Sequence, residues 1–188
     1  KSLKLSTFPA FFKVSGKRVV IVGDGEEALA KARLIGQTQA IIRIVTANPS
    51  ASLGAYAIME EIELVAAPLS GGLLEGAVLV FGATGDPARD CEVVEIARSL
   101  GIAANAVDQP DICDFYTPAI VNRAPVAIAI GTEGAGPVLA QQIRARIDQM
   151  LPVHLGRVAR LAQSYRLAAE TILAKGISRR AFWKNFFT

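Results

Sequence analysis

The chain has 188 residues, 52% of them hydrophobic and 20% charged, with a formal net charge of +3 and a pI near 9.0. That length suits one domain, or one domain with a small appendage, and can bury a real core. The composition excludes intrinsic disorder, the charge is too mild to point to nucleic acid, and no apolar run reaches the ~18 residues that span a bilayer.

In chain order, Arg18–Val22 (RVVIV) reads as a buried strand and Glu26–Ile35 as a helix. Ala40–Val45 is a second strand, residues 53–60 a short helix, Ile62–Ala66 a third strand and Ala77–Ala83 a fourth. Pro87–Leu100 has helical spacing and is stopped by Gly101; Ile102–Val107 is the fifth strand. This alternation predicts an α/β fold, a Rossmann-type domain with a parallel sheet and right-handed crossovers. After Asp108 the character changes to a loop rich in prolines and acids. Ala119–Val121 and Val126–Ile130 read as two further strands, and Pro137–Met150 as a strong helix. Pro152 is placed to restart a helix that runs from Val153 to about Lys175. Gly176 interrupts it ahead of a short basic-aromatic segment, Ser178–Phe187.

The first strand runs into Gly23-Asp24-Gly25-Glu26-Glu27-Ala28 and a helix begins. That is the G-x-G-x-x-A form of the dinucleotide turn. Gly23 permits the turn, Gly25 removes a side chain where a pyrophosphate approaches, and Ala28 lets helix and strand pack closely. Backbone N–H groups near Gly25–Glu27 then face the phosphates at the positive end of the helix dipole. NAD-binding units often end the second strand with a carboxylate that takes the ribose hydroxyls. Here that strand ends Val45-Thr46-Ala47-Asn48-Pro49, with neither an acid nor a base. Asn48 or Thr46 can serve the ribose, and NAD is favoured over NADP.

Ligands of open parallel sheets sit outside the carboxyl ends of the strands. Asp108 closes the fifth strand there, where it is either a proton acceptor or a solvated acid capping a turn. Gly82-Ala83-Thr84-Gly85-Asp86 follows the fourth strand with small residues that admit a ligand or make a plain loop. Thr132, among glycines before the helix at Pro137, can cap that helix or help cradle an anion. Cys91 and Cys113 read as free thiols of a reducing cytoplasm. With one histidine, His154, no soft metal site is expected, and His154 reads as a structural cap or hydrogen-bonding group in the C-terminal helices. Pro9 and Lys13 interrupt the basic N-terminal stretch, so no signal peptide is expected there.

Several segments resemble one family. They are Phe8-Pro9-Ala10-Phe11-Phe12; Val22-Gly23-Asp24-Gly25 with Ala28, Lys31 and Arg33; Ala83-Thr84; Asn105-Ala106-Val107-Asp108; and Phe115-Tyr116-Thr117-Pro118-Ala119. Further on come Gly134–Ala140 (GAGPVLA) and Leu151-Pro152-Val153-His154-Leu155-Gly156 with Val158 and Ala159. Together they resemble the N-terminal module of siroheme synthase, the precorrin-2 dehydrogenase and sirohydrochlorin ferrochelatase family. The resemblance implies NAD⁺-dependent oxidation of precorrin-2 to sirohydrochlorin, with Fe²⁺ insertion to siroheme following in many members. It implies a homodimer and three regions: an NAD-binding Rossmann domain at 1–112, an interlocking dimerisation region at 113–150 and a helical domain at 151–188. It implies Asp108 as general base, cofactor contacts at Glu26, Glu27, Ala47 and Asn48, and Thr132 near the substrate; the fingerprint adds Gly23, Gly25 and Ala28, and the loop after the fourth strand adds Thr84, as cofactor contacts, and Gly134 and Arg144 join Thr132 as candidate substrate contacts. A fused C-terminal methyltransferase, also found in the family, would lie outside this chain. The chain departs from the pattern at Glu27, where Val is frequent, at Ala30, where Arg is frequent, and at Thr132-Glu133-Gly134, where Ser-Gly-Gly is common.

Precorrin-2 carries many carboxylates, so a basic surface drawn from Arg89, Arg123, Arg144 or the tail arginines would attract it. Two other readings stay open: an NAD(H)-sensing regulatory module without catalysis, and a dehydrogenase that lacks the chelatase step.

Overall fold

A computed structural model describes residues 4–173 and 175–187; the first three residues of the basic N-terminal stretch lie outside the described residues. The chain divides into two compact units at the Thr117/Pro118 junction.

The first unit is a doubly wound sheet. Strands β1 (Arg18–Gly23), β2 (Ile41–Thr46), β3 (Glu63–Ala66), β4 (Ala77–Ala83) and β5 (Ala103–Ala106) lie in the order β3-β2-β1-β4-β5, and every pairing is parallel. Helices α1 (Gly25–Ile35), α2 (Ala51–Met59), α3 (Gly71–Leu74) and α4 (Pro87–Ser99) connect them. Successive strand residues point to opposite faces, so burial of both faces explains the unbroken apolar runs of β1 and β4. Val19 and Ile21 pack on one face with Ala28, Leu29, Ile44, Leu53 and Phe81. Val20 and Val22 pack on the other with Val45, Leu74, Val80, Val93 and Val94. Both faces are therefore dry, and the strand order reverses at the β1/β4 boundary, where ligands of such sheets bind.

The charge inside β2 is neutralised locally. Arg43 stands opposite Glu63 of β3 and donates to both carboxylate oxygens, at 2.9 and 2.8 Å, and to the Leu73 carbonyl at 3.2 Å. Leu100 ends α4, and Gly101, with φ of +70°, supplies the left-handed residue expected after it. A 3₁₀ turn, Pro110–Ile112, lies inside the acidic loop that follows β5.

The second unit contains β6 (Ala119–Arg123), β7 (Val126–Ile130), α5 (Pro137–Met150), α6 (Leu155–Ile172) and α7 (Ile177–Phe186). The two strands do not extend the parallel sheet; they pair antiparallel with each other. Helix α6 begins at Leu155, three residues beyond Pro152, which sits in the preceding turn. Gly156 is the reason α6 approaches the hairpin so closely: a Cβ there would lie 2.3 Å from the Ala124 carbonyl oxygen.

Candidate dinucleotide cleft and its carboxylate

The two fingerprint glycines do different jobs. Gly23 has φ of +144°, and a Cβ on it would stand 1.8 Å from the Ala83 carbonyl oxygen. It is glycine because β1 and β4 converge there. Gly25 has φ of +69°, and a Cβ on it would meet nothing within 4 Å. Its bare backbone borders open space at the start of α1, the property a phosphate requires. Ala28 is fully buried under the helix. Glu26 is exposed and Glu27 half-buried in the same first turn, so the available phosphate donors there are backbone N–H groups.

Beside this turn lies a cleft of about 520 Å³. Gly23 and Asp24, Thr46 to Asn48 after β2, Ala67 to Leu69 after β3, and Thr84, Arg89, Glu92 and Val93 after β4 line it. Ala47, Asn48 and Thr84 thus line one cleft with Gly23 and Asp24 of the glycine loop. A cleft at the switch point, with an unobstructed glycine and an open helix start, fits a dinucleotide.

Two carboxylates that sequence reasoning did not single out shape the cleft, Asp24 from its lining and Asp90 from behind Thr84. Asp90 of α4 is 2% exposed and accepts from the Thr84 backbone N–H at 3.0 Å and its hydroxyl at 2.8 Å. This fixes the loop after β4. It also explains Gly82, where a Cβ would stand 3.0 Å from the Asp90 Oδ1. Asp90 shares a face with Val93, Val94 and Ala97, so a lone acid on the apolar stripe of α4 was a readable signal. Asp24, between the two glycines, turns to the start of α2. Ser50 donates its backbone N–H at 3.1 Å to both Asp24 oxygens and its hydroxyl at 2.8 Å to Oδ1. Partial burial pushes the Asp24 carboxyl up, but the Ser50 hydroxyl and the N–H groups of Gly25 and Ser50 outweigh it and hold it below the usual range.

Asp108 lies two residues past β5 and is exposed, with φ of +56°. Its neighbour Val107 donates to the Gly82 carbonyl at 3.0 Å, which ties the turn to the end of β4. Lys31 of α1 interacts electrostatically with Asp108 and Glu27. Its ammonium lies 5.7 Å from the Phe81 ring centroid and 3.4 Å from the Thr117 hydroxyl. Burial pushes this lysine below its ordinary range, while Cys113, Asp108 and Glu27 pull the other way. Lys31 lies one helical turn from Ala28, on the face that α1 buries, and that spacing was its signal. Below it, Phe115 packs edge-on against Phe81 and tilted against Phe12. Buried Asn105 donates to the Phe115 carbonyl at 2.9 Å. The Asn-x-x-Asp segment thereby holds the loop beside Asp108.

In the second unit, Gly136 donates its N–H to the Thr132 hydroxyl at 3.3 Å, so Thr132 closes the glycine turn ahead of α5. Gly134, in the same turn, has φ of +81°. Arg144 is half-buried and donates to Gln141 at 3.0 Å. Arg123 is not a free surface cation. It is bound to the Asp148 carboxylate at 2.9 Å and to the Asp148 and Leu151 carbonyls, because the end of α5 must be tied to β6. His154 occupies the N-cap position of α6, but its side chain makes no capping bond; its carbonyl instead receives the Arg157 and Val158 N–H groups.

Residues 10–119 match a family described as "Putative NAD(P)-binding", and residues 154–188 match the sirohaem synthase dimerisation region. Siroheme synthase of Azotobacter vinelandii is 37% identical over 179 residues, covering 95% of this chain and 39% of that protein. Siroheme synthase of Stutzerimonas stutzeri is 37% identical over 187 residues, covering 95% of this chain and 38% of that protein. The chain thus spans about two fifths of the length of these relatives. Among solved structures, SirC, a precorrin-2 dehydrogenase, superimposes with a TM-score of 0.69 at 17% identity, over 97% of this chain and 90% of that one. That likeness establishes the shared fold.

Proposed function

The chain belongs to the NAD(P)-binding family matched over residues 10–119, and on that premise we propose that it is a precorrin-2 dehydrogenase that uses NAD⁺ to form sirohydrochlorin. The observation that carries this reading is the placement, along one edge of a single sheet, of an unobstructed glycine cradle and the Asp108 carboxylate. The relatives named siroheme synthase and the fold shared with SirC support the substrate class.

NAD⁺, when bound, supplies the hydride acceptor. The N–H groups around Gly25 at the start of α1 would hold its phosphates, and Ala47, Asn48 and Thr84 would flank it along the adjoining cleft. Gly23 and Ala28 set the turn from behind, and Glu26 and Glu27 flank it. Oxidation removes a hydride and a proton from the tetrapyrrole, and Asp108 receives the proton. Lys31 of α1 is a cation that interacts electrostatically with Asp108. Contacts of Thr132, Gly134 and Arg144 with the substrate belong to the same proposal. So does Fe²⁺ insertion, in which iron is a substrate, the macrocycle supplies its ligands, and Asp108 accepts the displaced pyrrole protons.

We further propose a homodimer, with segment 113–150 and the matched segment 154–188 both contributing. A fused methyltransferase that makes precorrin-2 would lie outside this chain. Among the described residues no helix is long and apolar enough to cross a membrane, and Cys91 and Cys113 are free thiols, which suits a reducing cytoplasm.

The test is anaerobic absorbance of the protein with precorrin-2 and NAD⁺, followed by Fe²⁺. NADH formation with a sirohydrochlorin spectrum is expected, then a siroheme band above the uncatalysed rate. Asp108→Asn should keep NAD⁺ binding and lose about 10²–10⁴-fold in turnover, the usual worth of a positioned base. NAD⁺ binding without NADH formation would instead favour the sensing module. NADH without enzyme-dependent siroheme would leave a dehydrogenase alone.

A further inference from the structure

The second strand ends without the carboxylate that commonly reads the adenosine ribose, since Thr46-Ala47-Asn48-Pro49 offers none. The fold nevertheless delivers one to the same corner of the cleft. Asp24, from the glycine loop, lines the cleft alongside Thr46, Ala47 and Asn48 and is bonded to Ser50, two residues past Asn48. We propose that Asp24 is the residue that makes this chain select NAD over NADP.

Three arguments converge. First, acceptor capacity remains. A carboxylate offers about four acceptor positions, and Ser50 N–H, the Ser50 hydroxyl and the Gly25 N–H account for three donors. The Ser50 N–H is shared between the two oxygens at 3.1 Å each, so a ribose hydroxyl that takes over one arm of that shared bond finds an acceptor without breaking the other. Second, the donors that an anionic 2′-phosphate would need are spent. The Ser50 N–H and hydroxyl, at the start of α2, are already bonded to the Asp24 carboxylate, which sits where a phosphate oxygen would have to go. Third, charge opposes the phosphate. Asp24 is held in its ionised form, and the one cation among the described lining residues, Arg89, lies in the first turn of α4. The sheet order sets β4 on the far side of β1 from β2, so Arg89 serves the opposite side of the cleft. Its guanidinium is also 3.7 Å from Asp86. Discrimination of this kind rests on a repulsive element as much as on a contact made.

This inference rests on the reading of the cleft as a dinucleotide site, and calorimetric titration of the intact chain with NAD⁺ and with NADP⁺ separates the two. Wild type should bind NAD⁺ about 100-fold tighter than NADP⁺, and isosteric Asp24→Asn should narrow that ratio at least about tenfold, chiefly by tightening NADP⁺. Asp24→Gly, which frees both Ser50 donors, should narrow it as far or further. Asp24 has an extended backbone that any residue adopts, so both variants should keep their melting temperature within a few degrees. Equal affinities in the wild type, or variants that weaken both dinucleotides by one common factor, would overturn the role of Asp24 and leave the cleft reading intact. Failure of the wild type to bind either dinucleotide would overturn the cleft reading and this inference with it.

Discussion

Gly23 and Gly25 share a motif, yet the structure asks opposite things of them. At Gly23 a methyl group would meet the backbone of Ala83, which is held in the β1–β4 pairing and has no flexible end to move. Strain and overpacking of this kind sum to about 4 kcal/mol, so Gly23→Ala should fail to fold or melt far below wild type. At Gly25 the same methyl group has room, and only the left-handed backbone resists it, at about 1–2 kcal/mol. Gly25→Ala should therefore fold, with NAD⁺ affinity reduced at least about tenfold because the methyl group projects where phosphate must approach. Circular-dichroism melts paired with NAD⁺ titration check both, and a Gly23→Ala variant as stable as Gly25→Ala would refute the division of labour. Sequence spacing alone made both glycines ligand-loop residues. It did not reveal that the first serves the neighbouring strand, because Ala83 is 60 positions away and only the register brings it there. Asp24 and Lys31 carry the family resemblance but no role could be read for them, for a related reason: their partners, Ser50 and Asp108, come from other crossovers.

Between elements, the segment after β5 is secured by one carboxylate. Asp114 accepts from the Arg98 side chain at 3.0 and 2.7 Å through Oδ1, and from the Ala104 N–H at 2.9 Å through Oδ2, so it joins the loop to both α4 and β5. The Arg98 guanidinium holds the Asp114 carboxyl below its ordinary value of 3.8; burial opposes this and the Ala104 N–H assists. A folded-state pKa below the unfolded one means that the folded chain binds fewer protons in that window. The stabilisation is complete above pH 3.8 and disappears as pH falls through the folded value. Asp114→Asn should melt about 2–4 °C below wild type near neutrality, and the gap should close as the pH is lowered past 3.8. A gap of constant size across that range would show that the anchor is not charge-dependent. The long elements were legible from periodicity: β4 and α5 appear with the bounds that their apolar spacing and flanking prolines suggest. The four-residue α3 and the 3₁₀ turn were not, since each is too short to express a period. The hairpin strands were found but not their pairing with each other, which depends on the turn at Ala124 and Pro125 rather than on any apolar pattern.

For the whole molecule, the second unit presents an apolar stripe that its own fold does not cover. Leu161, Tyr165 and Ile172 recur on α6 at spacings of four and seven, and are 52%, 53% and 79% exposed. Beside them lies an apolar groove of about 190 Å³ lined by Tyr165, Ala168, Ala169, Ile172, Leu173 and Phe182. Scattered exposed side chains need no explanation, but a seam at this spacing is the pattern by which helices pair. The seam falls inside residues 154–188, the segment that matches the sirohaem synthase dimerisation region. Ile172→Asp would place an unpaired carboxylate in such an interface, at a cost of about 3 kcal/mol or roughly 100-fold in dissociation constant. Sedimentation velocity at micromolar protein should show a wild-type dimer and a variant shifted to monomer. NAD⁺ affinity should be the same for both, since every residue lining the cleft belongs to the first unit. A wild type that sediments as a monomer would remove the homodimer from the proposal. A variant that stays dimeric would move the interface off α6, and the hairpin of β6 and β7 would be the next surface to substitute, because its outer edges are unpaired among the described residues.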